Sequence, residues 1–245
     1  MNIPESHPRY ESLRLRHKLL DGLRSGFVAE AGLIAHGRGE AFDYLLGEET
    51  LKEALEAEKA AVALLLNSRN PVISVNGNLA ALVPQGIVQL AGLLNAQLEV
   101  NLFYRTLKRE KLIEEVLRGC GAKEVFGVGG RGRIPHLDSE RGKVDLRGIQ
   151  VSDTVLVPLE DGDRTEALIA MGKKVISIDL NPLSRTSESA TVSIVDNVVR
   201  AIPNMIKLAG KMRDFVEEEL KVVVNDFDNK GNLEKIVQVM RNGVI

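Results

Sequence analysis

Tryptophan is absent from this chain, aromatic residues make up 4% of it, and cysteine occurs once. Each scarcity removes a class of function. Cys120 cannot close an internal disulfide, and among Leu117, Gly119 and Gly121 it reads as an inert, buried or half-buried thiol. With so few aromatics, and no basic strand interleaved with them, RNA binding has no support. The four histidines (His7, His17, His36 and His136) form no HxxxH or HxH pair, which argues against a transition-metal site. No GxSxG elbow is present, so a serine triad has no sequence support. No strand runs into GxGxxG, which disfavours an NAD(P)-dependent oxidoreductase. No apolar run approaches the ~18 residues of a membrane span, and MNIPESHPRYESLRLRHK lacks an apolar signal region. A formal charge of −2 gives no broad attraction to nucleic acid or anionic lipid. The expectation is a soluble, cytoplasmic protein with neither nucleic-acid nor membrane partners.

What is present is an alternation of short apolar runs and helical segments, in a chain of 245 residues that is 44% hydrophobic. It centres on residues 151–185, VSDTVLVPLEDGDRTEALIAMGKKVISIDLNPLSR. Val155–Val157 reads as a strand stopped by Pro158; a polar turn and a helix to Met171 follow, then a second strand at Val175–Ile178. Four further strands are expected at Val72–Val75, Leu98–Phe103, Val125–Val128 and Val192–Val195. Short β-branched runs joined through helices imply parallel strands buried on both faces. The expected class is α/β: a Rossmann-like, doubly wound, mostly parallel sheet with an N-terminal helical segment. No linker or repeat divides the chain. The partition within one domain is helical over 1–70, a βα core over 71–200 and C-terminal helices over 201–245.

Local signals refine this. Ser6 is placed to cap a first helix reaching about Leu23, and Thr50 with Glu53 to form a capping box ahead of a helix over Leu51–Leu66. Pro84 suits the start of a helix to Leu94, and Pro203 the start or a kink of a later one. Gly32, Gly37 and Gly39 interrupt the N-terminal helices, and Arg38 between two of them has the chemistry of a phosphate loop. The segment from Gly129 to Gly148 reads as a loop.

Ligands of such sheets sit outside the carboxyl ends of the strands. The loops there carry Asn76 and Asn78; Arg105 and Thr106; Arg131 and Arg133; Glu160, Asp161, Asp163 and Arg164; Asp179, Asn181, Arg185 and Thr186; Asp196 and Asn197. Arginines offer planar forks to phosphate oxygens, and carboxylates hold Mg²⁺ or ribose hydroxyls. That pattern suits a nucleoside triphosphate and a second anionic substrate. Thr106 and Thr165 are equally suited to capping helices.

Six blocks, IPESHPRYESL, GLIAHGRGEAFDYLLGE, PVISVNGNLAALVP, EVNLFYRT, VLVPLEDGDRTEAL and VISIDLNPLSRT followed by IVDN, together resemble the archaeal phosphopantothenate synthetase family, or 4-phosphopantoate–β-alanine ligases. The resemblance runs over about residues 3–205. It implies a Rossmann-like homodimer that joins 4-phosphopantoate to β-alanine with ATP, on a route to coenzyme A, releasing AMP and pyrophosphate. It also implies ATP-contacting positions at Arg16, Arg38, Asp179, Leu180, Asn181, Arg185, Thr186, Asn197 and Val198.

The chemistry so implied needs no protein nucleophile. The pantoate carboxylate attacks the α-phosphorus of ATP, and the amine of β-alanine then attacks the acyl-adenylate. Positioning and charge neutralisation are the protein's work. Arg38, backed by Arg16, is expected to clamp phosphates, and Arg105 to hold the 4-phosphate of the acid. Glu160 or Asp161 is expected to bind Mg²⁺ or take the amine proton. Asp179 suits ribose hydroxyls and Asn197 the adenine edge. A non-catalytic nucleotide sensor is the alternative on the same fold.

Overall fold

The computed structural model describes residues 4–159 and 162–243. Three helices lead: α1 (Tyr10–Arg24), α2 (Glu30–Leu45) and α3 (Lys52–Leu66). Then come β1 (Pro71–Val75), α4 (Gly77–Leu82), α5 (Pro84–Leu94), β2 (Gln97–Val100) and α6 (Leu107–Gly119). A small antiparallel pair, β3 (Gly132–Arg133) and β4 (Lys143–Val144), precedes β5 (Thr154–Pro158), α7 (Gly162–Ala170), β6 (Lys174–Ile178), α8 (Arg185–Ser189) and β7 (Val192–Ile194). Helices α9 (Val198–Met212), α10 (Glu217–Asn225) and α11 (Asn229–Asn242) end the described chain.

The main sheet has the order β2-β1-β5-β6-β7 with every pairing parallel. Its residues alternate between two cores, as the two-residue period of a strand requires. Ile73, Val75, Leu156, Ile176 and Ile178 face a large apolar core shared with α3, α5 and α9. Val72, Val155, Val157 and Val175 face the other side, against Leu168 of α7 and against Ile134, Leu137, Val144 and Ile149. The expected α/β class with a parallel sheet is therefore observed. One of the covering layers is built largely by irregular chain rather than by helices.

Five strands form this sheet, not six. The run Val125–Val128 makes only a single parallel bridge, Phe126 to Glu99. Gly127 turns the chain at φ +91°, where an added Cβ would lie 2.2 Å from the Val100 carbonyl oxygen. A strand cannot continue through that backbone.

The N-terminal segment departs further from expectation. The three glycines do not break the helix: α2 runs through all of them. Gly32 lets α2 approach Asn78, whose amide donates to the Gly32 carbonyl at 2.8 Å, and Gly39 packs on Leu180. Their use is close packing, not a phosphate loop, and Arg38 lies mid-helix. Ser6 does not cap α1, which begins at Tyr10; the ring of His7 accepts the Arg9 amide instead. Thr50 donates to Asp196 at 2.7 Å rather than forming a capping box. Thr106 does cap α6, by accepting from the Arg109 amide, whereas Thr165 is buried inside α7. Pro203 sits within α9.

Candidate functional site

The topology places the reversal of strand order between β1 and β5, since the chain leaves β1 towards β2 on one side and β5 leads to β6 and β7 on the other. Ligand crevices form at such points, beyond the carboxyl ends of the strands. Asn76, just after β1, ties this point together: its amide donates to the carbonyls of Pro158 and Leu159, and its oxygen accepts from the Leu79 amide. Above it lies a cleft of about 930 Å³, roofed by α2 and flanked by α1.

The cleft draws together Arg38, Asp179, Leu180, Asn181, Arg185, Thr186, Asn197 and Val198. Arg38 is exposed and makes no hydrogen bond or ion pair among the described residues. Asp179 is pushed above the ordinary carboxylate range by burial, with the Ser184 hydroxyl, the Asn181 amide and the Arg38 charge opposing. Its two oxygens accept from Ser184 Oγ at 2.6 Å and from Asn181 N at 3.1 Å, which folds the β6–α8 turn. Arg185 is held outward by Glu166 at 2.8 Å.

Asn197 is more constrained than its sequence context implies. Its Nδ2 donates to Asp43 at 2.9 Å and its oxygen caps α9. Arg200 joins Asp43 (2.5 Å) to Asp196 (2.6 Å), so α2 is fastened to the start of α9. Charge-assisted bonds of this kind are the strong ones. The Asn197 amide is thus largely spent on the fold, which leaves little of it to read an adenine edge.

Two expected positions stand apart from the lining. Arg16 reaches Glu40, which does line the cleft, at 2.5 Å; that bond raises the Arg16 pKa. Arg105 is buried in an ion pair with Glu110, and it also donates to the carbonyls of Lys143 and Gly127. Its guanidinium holds the irregular segment in place and does not line the main cleft. Glu160 and Asp161 lie outside the described residues. Arg164, expected in a loop, is fully buried and donates to Ser74 Oγ at 3.1 Å. Arg133 donates to the carbonyls of Leu137 and Asp138, away from the cleft.

Other lining residues carried no motif in the sequence: His36, Asp43, Arg109, Arg141 and Arg200. Burial lowers the pKa of His36, with Glu40 opposing and Arg16 adding to the shift. The only trace of Asp43 and Arg200 was spacing, Asp43 one heptad after His36 on α2 and Arg200 one turn after Asp196. Among the described residues no group of three His, Cys, Asp or Glu could hold a metal ion. The carboxylates of Asp43, Asp179 and Asp196 are all committed to protein donors, so they build no Mg²⁺ cage.

A family profile described as phosphopantothenate/pantothenate synthetase matches residues 53–243. The chain belongs to this family. Named relatives match nearly its whole length. The chain is 55% identical over 243 residues to a 4-phosphopantoate–β-alanine ligase of Thermococcus kodakarensis, covering 99% of this chain and 93% of that one. It is 53% identical over 236 residues to the protein so named from Methanosarcina mazei, covering 96% and 93%. With that from Methanospirillum hungatei it shares 49% over 243 residues, covering 99% and 98%. The resemblance read from six sequence blocks is therefore borne out. No described helix is long and apolar enough to cross a membrane.

Proposed function

We propose that this chain is an ATP-dependent ligase that joins 4-phosphopantoate to β-alanine through an acyl-adenylate, in the synthesis of coenzyme A. The observation that carries the reading is the cleft itself. In a chain about half identical to named ligases, Arg38, the Asp179–Asn181 turn, Thr186 and the Asn197–Val198 helix start meet around one crevice at the carboxyl edge of the sheet.

In this reading ATP lies at the β6–β7 end. The apolar Leu180 and Val198 flank its base, and Arg38 reaches its phosphates from the roof. One carboxylate oxygen of the acid attacks the α-phosphorus, the bond to the bridging oxygen breaks, and pyrophosphate leaves. The β-alanine amine then attacks the acyl carbon, expelling AMP, and the amine proton passes to a base. Bringing the reactants together in line supplies much of the rate, because a bimolecular encounter becomes an internal one. Arg38 stabilises the charge that grows on the departing pyrophosphate. Asp179 acts through the turn it folds, with a lone pair left for a ribose hydroxyl. Arg16 positions Glu40, and Arg105 positions the segment beside β2. Mg²⁺ accompanying ATP would supply charge neutralisation at the phosphates, as that ion commonly does. Glu160 and Asp161 are the carboxylates proposed to approach it or to take the amine proton. A homodimer in the cytoplasm belongs to the same reading.

Oxygen-18 placed in the acid's carboxylate tests the route. The label should appear in AMP. Label in inorganic phosphate, with ADP as the nucleotide product, would exclude the adenylate.

A further inference from the structure

Helix α2 carries Gly32, His36, Gly39 and Asp43 on one face, at the four- and three-residue steps that keep side chains in line. Its two glycines fix where that face lies. Gly32 rests on Asn78, just beyond β1, and Gly39 on Leu180, just beyond β6. Two strand spacings separate β1 from β6, about 10 Å, and seven residues of helix rise about 10.5 Å. The roof therefore runs across the strand ends, and His36 stands over β5, the strand between them. That is the middle of the cleft, with the turns after β6 and β7 on one side and the opposite wall on the other. An acyl-adenylate spanning the cleft carries its reactive carbon there.

His36 lines the cleft, half-buried, and its ring makes no hydrogen bond among the described residues. Burial lowers its pKa; Glu40 and Asp43 of its own helix oppose the shift, and Arg16 of α1 adds to it. A histidine so shifted is mainly neutral at pH 7, with a lone pair free to accept a proton. The described carboxylates that line the cleft are otherwise engaged. Glu11 pairs with Arg14, Asp43 with Arg200, and Asp179 accepts from Ser184 and Asn181. Glu48 lies past the end of α2. Glu40, one turn after His36, differs from these. Its Oε2 takes both bonds from Arg16, while Oε1 is buried and meets no described donor in hydrogen-bond geometry. Burial opposes the charge of Glu40, but the bond from Arg16, with Tyr44 and His36 helping, keeps its pKa below the ordinary carboxylate value. A buried anion with an idle oxygen, beside a neutral imidazole, favours the imidazolium once a proton arrives.

We propose that His36 is the base that takes the proton from the β-alanine amine, with Glu40 positioning the charged ring. This rests on the ligase reading above and leaves to Glu160 and Asp161 the approach to Mg²⁺. The ammonium of β-alanine first gives one proton to solvent. Its nitrogen lone pair then forms the bond to the acyl carbon, and one of the two hydrogens left on nitrogen passes to His36 as a proton. The bond from that carbon to the phosphate oxygen breaks, and its electron pair leaves with AMP. His36 returns the proton to solvent.

His36→Gln keeps much of the size and polarity and removes the basicity. Two assays separate the steps: exchange of pyrophosphate into ATP with 4-phosphopantoate alone, which reads adenylate formation, and amide formation with β-alanine added. Amide formation relative to exchange should fall about a hundredfold or more, the usual worth of a positioned base. Hydroxylamine, far less basic than β-alanine and so unprotonated at pH 7, should trap the acyl group at a rate within about tenfold of the unaltered protein's. A residue that merely shapes the cleft would lose both steps, or both amines, together. Glu40→Gln should show the same split by about tenfold, and a loss confined to exchange overturns its part. A ratio of amide formation to exchange within about threefold of the unaltered protein's, or an equal loss with both amines, overturns the role of His36. If His36→Gln does not fold, the unaltered protein decides. Its kcat/KM for β-alanine should fall towards acid more steeply than about tenfold per pH unit, because imidazole and amine both take up protons. A slope no steeper than that overturns the proposal. An unaltered protein that neither exchanges pyrophosphate nor makes the amide sinks the ligase reading itself, and shows it without any variant.

Discussion

Glu58 offers a sharp test of the electrostatics behind the site. It lies on α3 among Ala57, Ala60 and Ala61, with no exposed surface. Burial, and next the nearby Asp196, push its pKa from an ordinary 4.5 to about 8; the Asn204 amide and Arg200 oppose the shift. Neither carboxylate oxygen reaches a described donor with hydrogen-bond geometry. A carboxyl whose folded pKa is raised binds its proton more tightly when folded, so stability falls as pH rises from the unfolded value to the folded one. Below about 4.5 there is no cost; above about 8 the cost is complete. At 1.36 kcal/mol per unit, the cost approaches about 5 kcal/mol, and relaxation of the surroundings will reduce it. Glu58→Gln keeps the volume and removes the titration. It should be neutral within about 1 kcal/mol near pH 5 and stabilising by roughly 2–4 kcal/mol near pH 9. Urea unfolding of both proteins at the two pH values, with equal m-values confirmed, measures the difference. A difference that is flat with pH, or a variant weaker in alkali, would refute the argument.

Three further outcomes are expected. Arg38→Ala should lose roughly 2–4 kcal/mol of transition-state stabilisation in kcat/KM for ATP with an unchanged melting temperature, because Arg38 supports nothing in the fold; a loss within about threefold would count against it. Asp43→Asn should weaken the tie between α2 and α9, lowering stability by about 1–3 kcal/mol and raising KM for ATP, as thermal melts and steady-state kinetics would report. Gly32→Ala puts a Cβ 2.3 Å from the Asn78 amide oxygen and should destabilise, whereas Gly37→Ala meets nothing within 4 Å and should stabilise by about 0.5–1 kcal/mol, a contrast that melting temperatures can read.

The sequence is legible where local pattern and tertiary demand agree. The β-branched runs at Val72, Val155, Val175 and Val192 became strands because both faces of the sheet are covered. The turn Asp179–Asn181 and Asn197 were readable as strand-end positions because each follows such a run, but that Asn197 caps α9 was not. The glycines of α2 misled because glycine serves both loop conformations and close helix packing, and only the neighbour across the gap, Asn78 or Leu180, tells which. Arg105 misled because its polar partners, Glu110 and the Lys143 and Gly127 carbonyls, assemble only when the irregular segment folds back. Asp43, Arg109, Arg141 and Arg200 were silent for the same reason. Each acts across more than one element, and nothing in its own neighbourhood of sequence records that.

The division of strands around the switch between β1 and β5 has a consequence for how the cleft can vary. The wall proposed for the nucleotide is written after residue 178, apart from the α2 roof, while the opposite wall of the cleft is written before residue 145. The two walls share no loop. Substitutions in the β2–α6 connection and around Glu140–Gly142 can therefore reshape one wall without touching the turns after β6 and β7. The roof helix α2 borders both, so a substitution on its inner face reaches the whole cleft at once.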